Sequence, residues 1–336
     1  MDFELSEDEL ALAEGMRRLC AGRFPLEKVR AVEGEAVVLD AAGWSELADA
    51  GVFGLRLPEA DGGLGLPTAT AAVVFEELGR ALVPGPVLAS HLAAGLVPGA
   101  ADGTVVVGAV RPRPAPGRPW QPGASNAVAP VVLEHLGALG ALVVVDEDRI
   151  GVVDPAAVGD ALKVQRPLDP LTPLWCVDSL PEGDTVGGAA EAARWRRDAR
   201  VLGGALLVGL AAATVELAVS YAKDREQFGR PIGSFQAVKH LCADMLVRAE
   251  VARAAVHAAA VTVDQPDVGD ADRAAAGAAL LAGEAAVANG RTCIQVHGGM
   301  GFTWEIPAHL YLMRARVLAA SLDGAGPLAE LVAERF

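Results

Sequence analysis

The chain has 336 residues, 52% of them hydrophobic, so it is long enough for two or three compact units around a large core and is not disordered. Lys and Arg number 28 against 43 Asp and Glu, a formal charge of −15. That balance argues against a nucleic-acid binder, which needs a basic face to meet phosphates. It leaves room for an anionic cofactor, because a few local arginines can bind one inside an acidic protein. The four cysteines, Cys20, Cys176, Cys242 and Cys293, form no Cys-x-x-Cys pair. They speak against a zinc site and for reduced thiols in a cytoplasmic protein. The first residues, MDFELSEDEL, are acidic and amphipathic and lack the basic-then-apolar plan of a signal peptide.

Residues 1–100 read as helices. Ser6, followed by Asp8 and Glu9, is a helix start with acid at the positive dipole end. Leu10, Met16 and Leu19 make a plausible apolar face for it. Trp44 to Leu47 begins a short helix that stops at Gly51. GVFGLRLPEADGGLGLP is a Gly- and Pro-rich loop. Thr68 to Leu82 is a helix with Val73, Val74, Leu78 and Leu82 at helical spacing and Glu76-Glu77-Leu78-Gly79-Arg80 near its end. Pro84-Gly85-Pro86 breaks it, and Val87 to Leu96 resumes. Residues 101–190 change character. Thr104–Val110, Leu142–Val145 and Arg149–Val153 are β-rich runs among Pro and Gly, which predicts a small all-β module. RPRPAPGRPWQPG is too rich in Pro for a central strand and reads as a surface excursion.

Helix returns in residues 191–336. Ala190–Ser220 reads as one long helix or two in sequence, and Gln236–Val263 and Asp270–Val296 as further helices rich in Ala. The most apolar run, Val201 to Val215, contains three glycines and stops at Glu216. It is short for a membrane span and reads as a buried core helix. No internal repeat is visible.

The specific signals lie in this last part. Tyr221-x3-Arg225-x-Gln227-Phe228-Gly229-Arg230-Pro231-Ile232-x2-Phe235-Gln236 is followed by Gln295-x2-Gly298-Gly299-x-Gly301-Phe302-x2-Glu305-x-Pro307. Together they resemble the acyl-CoA dehydrogenase family. GVFGLRLPEADGGLG and VVFEELGRALVPGPVLAS resemble its N-terminal pieces. The resemblance implies a mostly α fold with an N-terminal helical domain, a small β-barrel or sandwich in the middle and a C-terminal four-helix bundle. It also implies FAD as cofactor, an acyl-CoA substrate and an acceptor such as electron-transfer flavoprotein. In such enzymes a carboxylate takes the α-proton of the thioester and the β-hydrogen leaves as hydride to the flavin. By resemblance, Arg225, Phe228 and Gln236 contact an FAD bound largely by the neighbouring subunit, Arg225 as the fork for its pyrophosphate. Gln295, Val296, His297, Gly298 and Gly299 line its adenosine-diphosphate end, where the glycines admit close backbone approach. Arg200 matches an arginine lining the acyl-CoA pocket.

The chain departs from the family pattern where the base is expected. The Glu-Gly pair of the common pattern falls on Asp323-Gly324, whose carboxylate arm is one methylene shorter, and Ala325 stands where a Thr is usual. The alternative base position, on the helix before the arginine motif, falls on Ala199; Asp198 is next to it but out of register. The acid-Pro-Gly-Ser-Asp segment of the middle domain is missing, with PWQPGASNAVAP in roughly its place, so Trp120 and Trp175 read as packing residues. What is kept reaches across to a neighbour's FAD, and what is lost would serve the chain's own flavin and substrate. This resembles the shorter, degenerate chain of actinobacterial heterotetrameric members. Two other readings stay open: a self-sufficient homo-oligomeric dehydrogenase with Asp323 as base and Gly324 at the substrate, and a non-catalytic scaffold or acyl-carrier-binding protein on the same fold.

Overall fold

The structure, a computed structural model, describes residues 5–35, 37–112 and 130–335. Helices α1 (Glu7–Arg23), α2 (Leu26–Ala31), α3 (Ala41–Asp49), α4 (Thr68–Arg80) and α5 (Val87–Leu92) come first. Strands β1 (Val107–Val110), β2 (Val131–Glu134), β3 (Ala141–Val145), β4 (Arg149–Val153), β5 (Leu162–Lys163), β6 (Leu174–Val177) and β7 (Asp184–Gly188) follow. Helix α6 (Ala189–Asp224) leads into a hairpin of β8 (Glu226–Gln227) and β9 (Arg230–Pro231). Helices α7 (Gln236–Asp264), α8 (Ala271–His297), α9 (Ala308–Ser321) and α10 (Ala325–Glu334) complete the chain. The expected mostly α fold with a β middle is observed. Two compact units are formed, one by residues 1–26, 67–83 and 200–336, the other by residues 27–66 and 84–199.

In the first unit α8 packs against α7, α9 and α10, and α1 and α7 pack against α4. Small residues set the spacing. A Cβ on Gly209 of α6 would lie 1.9 Å from the Glu76 carbonyl oxygen, and one on Gly79 of α4 would lie 2.1 Å from the Leu206 oxygen. The two helices therefore cross backbone against backbone, which only glycine permits. The same crossing buries Glu76 and Glu77. Glu77 receives Arg17 in bidentate geometry, Nε at 2.9 Å and Nη2 at 2.8 Å, and Arg80 Nε at 3.1 Å. Glu76 receives Arg253 Nη2 at 2.7 Å. The Glu-Glu-Leu-Gly-Arg run thus ties α1, α4 and α7 together through paired charges, the condition on which carboxylates can be buried. Helix α6 is, among the described residues, the one helix long and apolar enough to cross a membrane, and 83% of its most apolar window is buried inside the protein.

The second unit is built on two small sheets. One has the order β1-β3-β4-β7, with β1 parallel to β3 and the other pairs antiparallel; the other is antiparallel with the order β2-β6-β5. Strand β3, Ala-Leu-Val-Val-Val, is buried along its length. Its odd residues Ala141, Val143 and Val145 face a cluster with Ala93, Val97, Ala192 and Trp195, and its even residues Leu142 and Val144 face one with Val131, Leu133 and Val177. An unbroken apolar run is what a strand covered on both faces requires.

Several sequence expectations shift at their edges. Helix α1 opens with the expected Ser6 cap, completed as a capping box with Glu9. Its buried side chains are Met16 and Cys20, and Leu10 is exposed rather than part of the core face. Helix α4 stops at Arg80, because Leu82 adopts a left-handed φ of 51°. The run Ala190–Ser220 lies within one helix of 36 residues, Ala189–Asp224, and is not split in two. Strands β2, β6 and β7 carry no clean alternation and were not expected. Trp175 lies in β6 and packs against the second cluster. Residues 113–129, with Trp120 and most of the Pro-rich excursion, lie outside the described residues.

Asp264, the last residue of α7, caps the start of α4, accepting from the backbone N–H groups of Thr68 at 2.9 Å and Ala69 at 3.0 Å. Asp264→Ala leaves both donors without that partner and is expected to destabilise the fold by about 1–2 kcal/mol, the worth of a helix cap. A denaturant midpoint unchanged from wild type would contradict this.

Candidate functional site

The sequence-predicted residues fall into two groups, one at the C-terminal end of α6 and one around Arg200, about a third of the way along it. At its C-terminal end the chain leaves the helix at Arg225, whose N–H donates to the Tyr221 carbonyl at 2.8 Å and whose carbonyl accepts from the Ile232 N–H at 2.8 Å. Between them β8 and β9 pair Glu226 with Pro231 and Gln227 with Arg230. The two tip residues, Phe228 and Gly229, have φ of 54° and 76°. Such a two-residue turn favours Asn-Gly or Gly-Gly, and a phenylalanine there is strained. The Phe228 ring stands out at the tip, 92% exposed, its centroid 6.1 Å from that of the Phe235 ring and nearly perpendicular to it. Arg230 lies 4.2 Å over the other ring, that of Phe235. Gln236 opens α7, exposed, with its amide nitrogen 3.2 Å from His240 Nε2.

Helix α8 ends beside this arm. His297 stacks on Tyr221 with ring centroids 4.2 Å apart, and its Nδ1 lies 2.8 Å from the Cys293 carbonyl. Val296 and His297 are buried, so their side chains belong to the core. Gln295, Gly298 and Gly299 are exposed. Gly298 has φ of 59°, and a Cβ on it or on Gly299 would meet nothing within 4 Å. Gly301 is different in kind: a Cβ there would strike the Ile294 carbonyl at 2.4 Å. Phe302 and Trp304 follow, 84% and 59% exposed. Among the described residues the Arg225 guanidinium has no acidic partner. A free guanidinium, two exposed carboxamides and open glycine backbone are a donor set that fits the pyrophosphate and adenosine of FAD.

The other group centres on Arg200. It donates from Nε at 3.1 Å and Nη2 at 3.0 Å to one oxygen of Asp323, and both side chains are only 13% exposed. Asp323 and Gly324 have φ of 86° and 76°, which turns the chain between α9 and α10. Leu322 fits against Gly203 of α6, where a Cβ would lie 2.6 Å from its side chain. The candidate base and the candidate substrate arginine are therefore bound to each other. The structure does not bring them near the arm: from Arg200 to the end of α6 is about 36 Å at roughly 1.5 Å per residue.

In the second unit, Ala199 packs against the first apolar cluster, and Asp198 beside it is buried. Asp198 Oδ2 accepts from Arg56 Nη2 at 2.7 Å, while Oδ1 has no hydrogen-bond partner among the described residues. Arg56 was not singled out in the sequence; the signal for it was the one basic residue of the Gly- and Pro-rich loop, set between Leu55 and Leu57. Burial pushes the Asp198 carboxyl above the ordinary Asp range, against the opposing pull of Arg56. The Cys20 and Cys293 thiols are likewise pushed up to about 12 by burial, and all four cysteines are unpaired.

Residues 6–104 match the acyl-CoA dehydrogenase N-terminal domain and residues 193–325 the acyl-CoA dehydrogenase C-terminal domain. The chain belongs to the acyl-CoA dehydrogenase family. It is 39% identical over 305 residues to acyl-CoA dehydrogenase FadE34 of Mycobacterium tuberculosis, an overlap that takes in 83% of this chain and 40% of FadE34. The chain thus spans well under half of that relative's length. Acyl-CoA dehydrogenase IpdE2 of the same organism is 34% identical over 332 residues, 94% of this chain and 93% of IpdE2. The solved structure of the Tcur3481–Tcur3483 steroid ACAD covers 98% of each chain with a TM-score of 0.81 at 26% identity.

Because the folded state favours protonated Asp198, its contribution to stability is complete below the ordinary Asp range and is lost as pH rises through the raised folded value. Asp198→Asn stays neutral at every pH. It is expected to gain stability over the wild type as pH rises from acid towards neutral, with the two converging in acid. Denaturant midpoints across that range measure this, and a difference independent of pH contradicts it.

Proposed function

We propose that this chain is one of two unlike subunits of an FAD-dependent acyl-CoA dehydrogenase that introduces an α,β double bond into an acyl-CoA thioester. Arg225, Phe228, Gln236 and the stretch 295–299 complete an FAD site whose larger part belongs to the other chain. The observation that carries this reading is the Arg200–Asp323 ion pair. The carboxylate at the position of the family's base is held by the guanidinium beside it, and that pair must break before Asp323 could reach a substrate α-carbon. Ala199, at the other base position, has no acid at all.

FAD, when bound, supplies the hydride acceptor. This chain's residues bind and orient it. Arg225 offers two parallel N–H donors to the pyrophosphate. Gln236 and Gln295 donate from their carboxamides, and Gly298 and Gly299 let the adenosine end lie against backbone. The exposed Phe228, held out by a strained turn, would offer the bound cofactor an apolar surface that excludes water. The other chain supplies the base that takes the α-proton. Two observations favour an unlike partner and a bulky, steroid-derived acyl group. A structural relative at 26% identity is a steroid ACAD named for two proteins, Tcur3481 and Tcur3483. FadE34 has length left over for a second segment at least as long as this chain.

Arg225→Ala in the assembled enzyme is expected to weaken FAD by about 2 kcal/mol, the worth of a charged hydrogen-bonded contact, and so lower the flavin content on dilution. Asp323→Asn is expected to leave turnover per bound flavin unchanged. A loss of about 10²-fold or more, as for removal of a general base, would show that this chain carries its own base and would sink the proposal.

A further inference from the structure

Helix α8 is dominated by alanine on its buried face, and so is the face of α7 that meets it. Such surfaces look alike from one turn to the next and do little to fix how far one helix slides along the other. A buried amide interrupts them. Asn289 is fully buried in α8. Its Nδ2 donates to the Met245 carbonyl of α7 at 2.9 Å and to the Ala211 carbonyl of α6 at 3.4 Å. Its Oδ1 accepts from Arg248 Nε of α7 at 2.9 Å, and Arg248 Nη2 reaches Thr292 of α8 at 3.3 Å. Both amide donors and the carbonyl are used, so one side chain joins three helices. A slide of one turn in any of them would strand buried polar groups, and this gives the amide a register that the alanines do not provide.

All three helices run from Asn289 to the same end of the unit. Helix α6 continues from Ala211 to the arm at Arg225, α7 runs back from Met245 to Gln236, and α8 continues to Gln295 and Gly298. The stack of Tyr221 on His297 shows that the ends of α6 and α8 meet there. We propose that Asn289 is a positioning residue for the cofactor: it sets the relative heights of Arg225, Gln236 and Gln295, so that their donors reach one dinucleotide together. This rests on the reading that those residues contact FAD.

The test uses the enzyme purified through a tag on this chain from its native host, with FAD release followed by the rise in flavin fluorescence. Asn289→Leu removes the amide at similar volume; Asn289→Asp keeps the acceptor for Arg248 and loses both donors, and it is read in the same way should the leucine variant fail to accumulate. The expected result is assembly as in wild type with FAD held about five- to tenfold more weakly, the worth of one misaligned hydrogen bond. Amide hydrogen exchange is expected to quicken in residues 225–236. Asp264→Ala, which weakens the fold at the start of α4, serves as the control for general destabilisation. Loss of flavin in Asp264→Ala equal to that in the Asn289 variants at equal loss of melting temperature overturns the positioning role. Flavin lost in Arg225→Ala but held as in wild type by the Asn289 variants overturns this proposal alone. Flavin held as in wild type by Arg225→Ala and the Asn289 variants alike overturns the reading on which it rests.

Discussion

Arg200 sits about a third of the way along a helix whose C-terminal end carries the arm, and its guanidinium gives two N–H donors to a single oxygen of Asp323. Both groups are mostly withdrawn from water. Charges in that position are kept only as a pair, because removing either partner leaves the other uncompensated. The pair therefore anchors the turn between α9 and α10 to α6, and Asp323 and Gly324 accept left-handed backbone to make it. A carboxylate that has become part of the frame is a poor candidate for proton abstraction, and the rest of the functional account follows from that constraint. The arm leaves the same helix about 36 Å away at roughly 1.5 Å per residue, and among the described residues the Arg225 guanidinium at its base has no acidic partner.

The remainder of the first unit can be seen as what keeps the arm in place. Glycines at Gly79 and Gly209 bring α4 and α6 into backbone contact. Glu76 and Glu77, buried beside that crossing, are paired by Arg17, Arg80 and Arg253 from three helices. Alanine-rich α7 and α8 add close packing but little register, and the buried amide of Asn289 adds the register. The tip of the arm is exposed; its shape comes from the hydrogen bonds of Arg225 to Tyr221 and Ile232, the two-residue turn and the stacking of Arg230 on Phe235.

Much of this was legible in the sequence. Long periodic helices such as α4, α7 and α8 announce themselves by spacing and caps to within two residues, and β3 and β4 by their valine runs. The arm and the Gly-Gly run were legible because their glycines and charged residues serve no core. What could not be read is non-local. Strand β7, Asp-Thr-Val-Gly-Gly, is a strand because β4 pairs with it, not by propensity. The Glu-Glu-Leu-Gly-Arg run looks like a charged helix end, and its burial depends on arginines from α1 and α7. Asp323 read as a candidate base because its partner, Arg200, is more than a hundred residues away in the chain and the ion pair appears only once the helices are packed. Arg56 and Asp198 were hidden for the same reason.

Native mass spectrometry of the enzyme purified through this chain tests the central claim most directly, because it weighs subunits and flavins in one particle. The account predicts an assembly of this chain with an unlike acyl-CoA dehydrogenase chain, holding fewer FAD molecules than it has chains. A particle made only of copies of this chain, with one FAD for each, would contradict it.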